Sequence, residues 1–213
     1  MVRQQFSDKE LNYFKFDSIV KNEFPKALRQ TFKFMWDNKY GRTELWDDSE
    51  AVRNSFKAKE GGVTKVRTKL SYEEWDCTAL AQATIFAQSF AVVDSTGHNK
   101  TLNEMYVRPC CLPDGSFHPS VESSVGNKAE TFALAIDQLR RLRNEHSHSS
   151  SGEMDKVTFD QYIQLAKDAF KALGVKTDRL HDLGSLPESE LPTKEVAGLR
   201  RENRQLRFVV LFD

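Results

Sequence analysis

Apolar positions recur at helical spacing along most of the chain, and no stretch alternates with period two for long enough to suggest a sheet. Ser7-Asp8-Lys9-Glu10 has the spacing of a capping box, in which a hydroxyl and a carboxylate three residues on satisfy backbone donors reciprocally, so a helix is expected to begin near Asp8. Pro25 lacks the amide that a helix interior needs; the run either kinks there or restarts with Pro25 in the first turn of a second segment. From Phe24, residues Ala27, Leu28, Phe32, Met35 and Trp36 keep helical spacing until Asn38 to Gly41 supply a stop. Asp47 to Lys59 predicts a weaker helix closed by Gly61-Gly62. Ser71-Tyr72-Glu73-Glu74 repeats the capping pattern, and Tyr72, Trp75, Ala79, Ala83, Phe86 and Phe90 mark one stripe of a long helix.

Residues 94–128 change character. Gly97, Pro109, Pro113, Gly115 and Pro119 punctuate the run, as expected of a surface loop or insertion. Between Ala129 and about Ser147 the pattern Phe132, Ala135, Ile136, Leu139, Leu142 is helical again. After a Ser149–Gly152 turn, Phe159, Tyr162, Ile163, Ala166, Ala169, Phe170 and Leu173 predict a last core helix over 155–173, ended by Gly174. The expected class is all-α: a compact helical bundle over residues 8–175, a flexible linker over 176–195, and a possible start of a coiled coil over 196–213, the tail being mostly disordered or partly coiled. In that last stretch Val196, Leu199, Asn203, Leu206 and Val210 alternate spacings of three and four, with Asn203 at a position where a buried amide favours one register. Phe208–Phe212 alone is strand-like.

Composition narrows the function classes. With 39% hydrophobic residues among 213, the chain can bury a core. Its 31 Lys+Arg balance 31 Asp+Glu, so no global field draws it to nucleic acid or membrane, and phosphate binding must be local. No apolar run of about 18 residues exists and the N-terminus lacks a signal-peptide core, which predicts an intracellular, cytoplasmic protein off the membrane. Cys77, Cys110 and Cys111 do not resemble a secreted disulfide framework. Cys110, Cys111, His98 and His118 share one loop, but adjacent cysteines are not the two-residue-spaced zinc clamp, so no metal site or cofactor is expected. Cys77 reads as a small packing residue. Serine-hydrolase, zinc-peptidase and dinucleotide fingerprints do not occur.

The polar run Arg143-Asn144-Glu145-His146-Ser147-His148 is the candidate site. Counted from Phe132 at about 100° per residue, Arg143 and His146 return close to the buried face, where a guanidinium needs a carboxylate, carbonyls or a phosphate as partner. Asn144 and His148, four apart, share a second face, and Arg143 points about 140° away from His148 unless the turn frays or a second subunit intervenes. An imidazole and an arginine are what metal-independent RNA cleavage requires, one to move protons and the other to stabilise phosphoryl charge. The plainer reading is a solvated helix end, since Arg and His complement the negative end of the helix dipole.

Arg-Asn followed by a histidine within four to six residues of the arginine, a short loop and a final amphipathic helix resembles the motif of HEPN domains. Leu142–His148, Val157–Tyr162 and Phe170–Gly174, with Asn12-Tyr13 and Pro25–Arg29, resemble more narrowly the HEPN subfamily of the DAZ-interacting zinc-finger ubiquitin ligase, over about residues 10–175. The resemblance implies a helical bundle that often dimerises, two motifs facing one cleft. It implies an RNA- or nucleotide-binding module, with metal-independent endoribonuclease activity on dimerisation as one outcome. A catalytically silent adaptor in immune, stress or ubiquitin signalling, acting as a homo-oligomer or with a protein partner, is the alternative. By motif position Arg143 faces phosphate, Asn144 is its polar neighbour and His148 the acid/base; which of His146 and His148 faces the cleft stays open.

Overall fold

A computed structural model describes residues 6–62, 64, 66–149 and 151–187 of the chain. Ser7 starts the first helix as its spacing with Glu10 requires: its Oγ accepts from Glu10 N at 3.2 Å, and Glu10 Oε2 accepts from Ser7 N at 2.9 Å. Helix α1 (Asp8–Ser18) then runs into α2 (Phe24–Tyr40) without a break, through one π-helical turn at Ile19–Glu23. A proline ring collides with the carbonyl four residues back and supplies no amide; widening the turn ahead of Pro25, which sits in the first turn of α2, relieves both conflicts. Helix α3 (Glu50–Lys59) is shorter than expected. Ser49 caps it by accepting from Val52 N, and Asp48 before it is left-handed at φ 59°.

The long helix expected from Ser71 to Phe90 is not formed as one piece. It divides into 3-10 turns at Tyr72–Glu74 and Gln88–Phe90, the short α4 (Cys77–Ala81) and a π turn at Gln82–Phe86. Trp75 is extended and Asp76 becomes the working cap, its Oδ1 accepting from Ala79 N at 2.8 Å. Ser71 caps only the first 3-10 turn and donates its hydroxyl to Asp48 Oδ2 at 2.6 Å. The break has a packing reason: Trp75, 2% exposed, turns into an aromatic cluster centred on Phe32. The Phe32 ring lies 4.6–6.4 Å from those of Trp36, Trp46, Phe56, Tyr72, Trp75 and Phe90, mostly edge to face.

Residues 94–128 also hold more structure than a loop. Strands β1 (Val92–Val93) and β2 (Asn99–Lys100) pair antiparallel, Val92 opposite Lys100, and helical turns follow at Asn103–Val107 and Arg108–Cys110. Helix α5 (Lys128–His148) then crosses the middle of the molecule, against α6 (Lys156–Ala172), α4 and the 103–107 turn. Every residue from Ala133 to Leu139 is buried, so this helix is enclosed on all faces over two turns, and its polar residues there must find internal partners. Phe16, Phe24, Tyr162 and Phe170 join α1, α2 and α6 in a second aromatic group.

The fold is all-α, and among the described residues its sheet is confined to that ribbon. It runs past the expected boundary at 175: within the span read as linker, α7 (Asp178–Ser185) buries Leu180 completely, and Lys15 Nζ donates to Gly184 O at 3.4 Å. The rest of that span beyond 187 and the coiled-coil expectation for 196–213, Asn203 included, lie outside the described residues. No helix among the described residues is long and apolar enough to cross a membrane.

Candidate functional site

Helix α5 stays helical as far as His148, so the angular separation within its polar run is kept. His146 falls on the buried side, 3% exposed, with Nε2 3.1 Å from Asp17 Oδ1 on α1 and its ring 4.5 Å from that of Tyr13. Asp17 also holds Lys21 at 3.0 Å. Burial works to raise the Asp17 carboxyl, but the bonds from His146 and Lys21 outweigh it and leave the group below the usual carboxylate range. His146 Nδ1 has no hydrogen-bond partner among the described residues. This histidine is a core residue that ties α5 to α1.

Asn144 and His148, by contrast, share a cleft of about 370 Å³ with Arg140, Arg141 and Glu145, and the segment 114–117 forms the opposite wall. Arg143 does not line it. Its Nη1 donates to Asn144 Oδ1 at 3.1 Å, and no carboxylate pairs with it among the described residues. Its charge acts on Cys77 of α4, whose thiol burial pushes up to about 12 against the pull of Arg143. Of the four residues singled out from sequence, then, two meet in one cleft, the third reaches it through Asn144, and His146 lies behind it.

What builds the cleft is Asp137, which has no exposed side-chain surface. Its Oδ1 accepts from Arg140 Nε at 2.8 Å and Nη2 at 2.6 Å; its Oδ2 accepts from Arg141 Nε at 2.6 Å and meets His118 Nε2 at 2.8 Å. Burial works to raise this carboxyl, but the His118 bond and the two guanidinium charges outweigh it and hold it at about 2. Arg141 Nη1 donates onward to Ser116 O at 3.1 Å, and His118 N donates to Gln138 Oε1 at 2.9 Å, so the wall segment is fastened to α5 at both ends. Arg140 Nη1 and Arg141 Nη2 are left without partners among the described residues, on side chains that line the cleft with Asn144 and His148.

Sequence reasoning missed Asp137, Arg140, Arg141 and His118. The signal available was the carboxylate with arginines three and four residues on, a spacing that joins them across one turn. His118, grouped by sequence with His98 and the adjacent cysteines, turns inward to Asp137, while His98 sits beside Thr96 at the ribbon's turn. Cys110 and Cys111 are exposed and free, and no three His, Cys, Asp or Glu side chains gather as a metal site would need among the described residues.

Two guanidiniums braced by a buried carboxylate, an amide and an imidazole at a helix end could hold an oxyanion and exchange a proton with it. Asp114 and Glu145, also in the lining, match the two arginines in formal charge, so an anion there relies on directed N–H donors more than on a net positive field. Set against family models, curated proteins and solved structures, the chain finds no match in any of the three.

Proposed function

We propose that this protein is a HEPN-like module that binds a single phosphate of RNA or of a nucleotide in the cleft formed by Arg140, Arg141, Asn144 and His148. The observation that carries the reading is the Asp137 anchor, which fixes both guanidiniums in the lining that Asn144 and His148 share while Arg140 Nη1 and Arg141 Nη2 keep donors to spare. Such pre-positioning lowers the ordering cost of binding an anion. Arg143 takes part in strand cleavage only if a second copy brings it opposite His148, because within one chain the two side chains leave the helix about 140° apart.

Fluorescence anisotropy with labelled single-stranded RNA, and competition by a mononucleotide, both in EDTA, test the reading. His148→Ala and Arg140→Gln should each weaken binding by roughly tenfold, as loss of a charge-assisted contact does. Arg143→Ala should leave binding intact and remove any concentration-dependent cleavage. Binding that ignores both cleft variants, or no binding by any of the proteins, overturns the proposal.

The second reading is a catalytically silent adaptor. It draws support from Asp114 and Glu145, which offset the cleft arginines, and from a chain with equal numbers of acidic and basic residues. Phosphate binding without cleavage at any protein concentration would favour it.

A further inference from the structure

A concavity larger than the phosphate cleft lies elsewhere. It is a groove of about 990 Å³ between α2, the first turn of α5 and the last turn of α6, lined also by Leu102 and the 90–92 segment. Its volume is at the top of the range of roughly 300–1,000 Å³ usual for small-molecule sites. Phe34, Met35, Val92, Phe132 and Leu173 give it a mainly apolar surface. Phe34 is 52% exposed and meets Phe132 edge to face at 5.9 Å, an aromatic pair held at the groove's mouth and not in the core.

The rim is cationic and unevenly satisfied. Lys33 is bound to Asp37 Oδ2 at 2.9 Å, and Lys39 donates to Ala91 O at 3.0 Å. Lys128 and Lys171 have no hydrogen-bond or ion-pair partner among the described residues. Lys171 suits the C-terminal end of α6, but Lys128 occupies the first position of the 21-residue α5, where the helix dipole is already positive. A cation there is locally unfavourable, and the one acidic residue of that turn, Glu130, is bound to Ser123 and lies outside the groove's lining. Asp37, already paired with Lys33, is the single carboxylate in the lining, so the groove keeps a positive surplus.

An apolar trough of small-molecule size with two free ammonium groups at its edge matches a single-chain amphiphile that carries one negative charge. We infer that the groove is a binding site for a long-chain carboxylate, the acyl chain lying over Phe34, Met35 and Phe132 and the carboxylate between Lys128 and Lys171. The site is separate from the phosphate cleft: Phe132 and Asn144 are twelve residues apart on α5, about 18 Å along its axis.

Titration of the full chain with a dansyl-labelled undecanoate, followed by displacement with palmitate, reads this directly. Saturable fluorescence enhancement that palmitate reverses is expected, with hexadecanol a much weaker competitor because it lacks the charge. Phe34→Asp, at an exposed position, and the pair Lys128→Glu with Lys171→Glu should each weaken the probe by roughly tenfold or more. Circular dichroism checks that these surface variants fold. His148→Ala should bind the probe like the unaltered chain, so failure here and failure of the phosphate cleft are distinguishable. No saturable binding, equal displacement by hexadecanol, or indifference to both groove variants overturns the assignment. So does concentration-dependent self-association that Phe34→Asp abolishes without any probe binding, which would make the groove a contact between copies.

Discussion

At the scale of single residues, two histidines two positions apart have opposite environments, and their variants should separate stability from binding. His146→Ala removes a ring packed on Tyr13 and Phe16 and leaves Asp17 with only Lys21, so it should cost about 2–4 kcal/mol in chemical denaturation while leaving phosphate affinity unchanged. His148→Ala, on an exposed side chain, should do the reverse. Asp137, like Asp17, contributes to the acid dependence of stability. Its folded value of about 2 lies below its ordinary 3.8, so its contribution is fully present above about pH 4 and is lost as pH falls toward 2. That difference corresponds to about 2 kcal/mol. An acid titration of stability should show the loss in this window, flattened in Asp137→Asn, which should itself be destabilised by roughly 3 kcal/mol. Asn144 and His148 were legible in the sequence because their four-residue spacing is local. The Asp137 pairing with Arg140 and Arg141 was equally local and was passed over, whereas its bond to His118, nineteen residues upstream in a stretch punctuated by glycines and prolines, had no local signal.

At the scale of elements, helices with local start and stop chemistry could be read directly: α1 from Ser7 and Glu10, α6 from its apolar stripe and Gly174 at φ 70°. The 72–90 segment shows why others could not. Its apolar stripe is compatible with 3-10, α and π turns alike, and the break at Trp75-Asp76 is imposed by the ring cluster around Phe32, which no local pattern reveals. Asp76→Ala should therefore cost about 1 kcal/mol, as loss of a helix cap does, measured as a lowered thermal midpoint. Ser71→Ala should act through its lost bond to Asp48 instead. Helix α7 was hidden by Gly184 and Pro187, which dominate a segment whose apolar Leu180, Leu183 and Leu186 recur every three residues.

At the scale of the whole molecule, α7 makes the bundle longer than its sequence boundary. A chain ending at Val175 would expose the cavity that Leu180 fills, and should lose about 2 kcal/mol or more of stability in urea titration. The balanced overall charge, with carboxylates at the cleft, predicts a shallow salt dependence for RNA binding. The slope of log affinity on log salt should correspond to roughly one or two phosphates, near −0.7 to −1.4, not the steep value of a basic groove. One carboxylate both restrains the two cleft guanidiniums and, through Arg141 and His118, clamps the facing segment to α5. The cleft's charge and part of its shape thus depend on one pin. Neutralising that pin would loosen the cations and one fastening of the wall together, while the His118 amide on Gln138 would still hold the other.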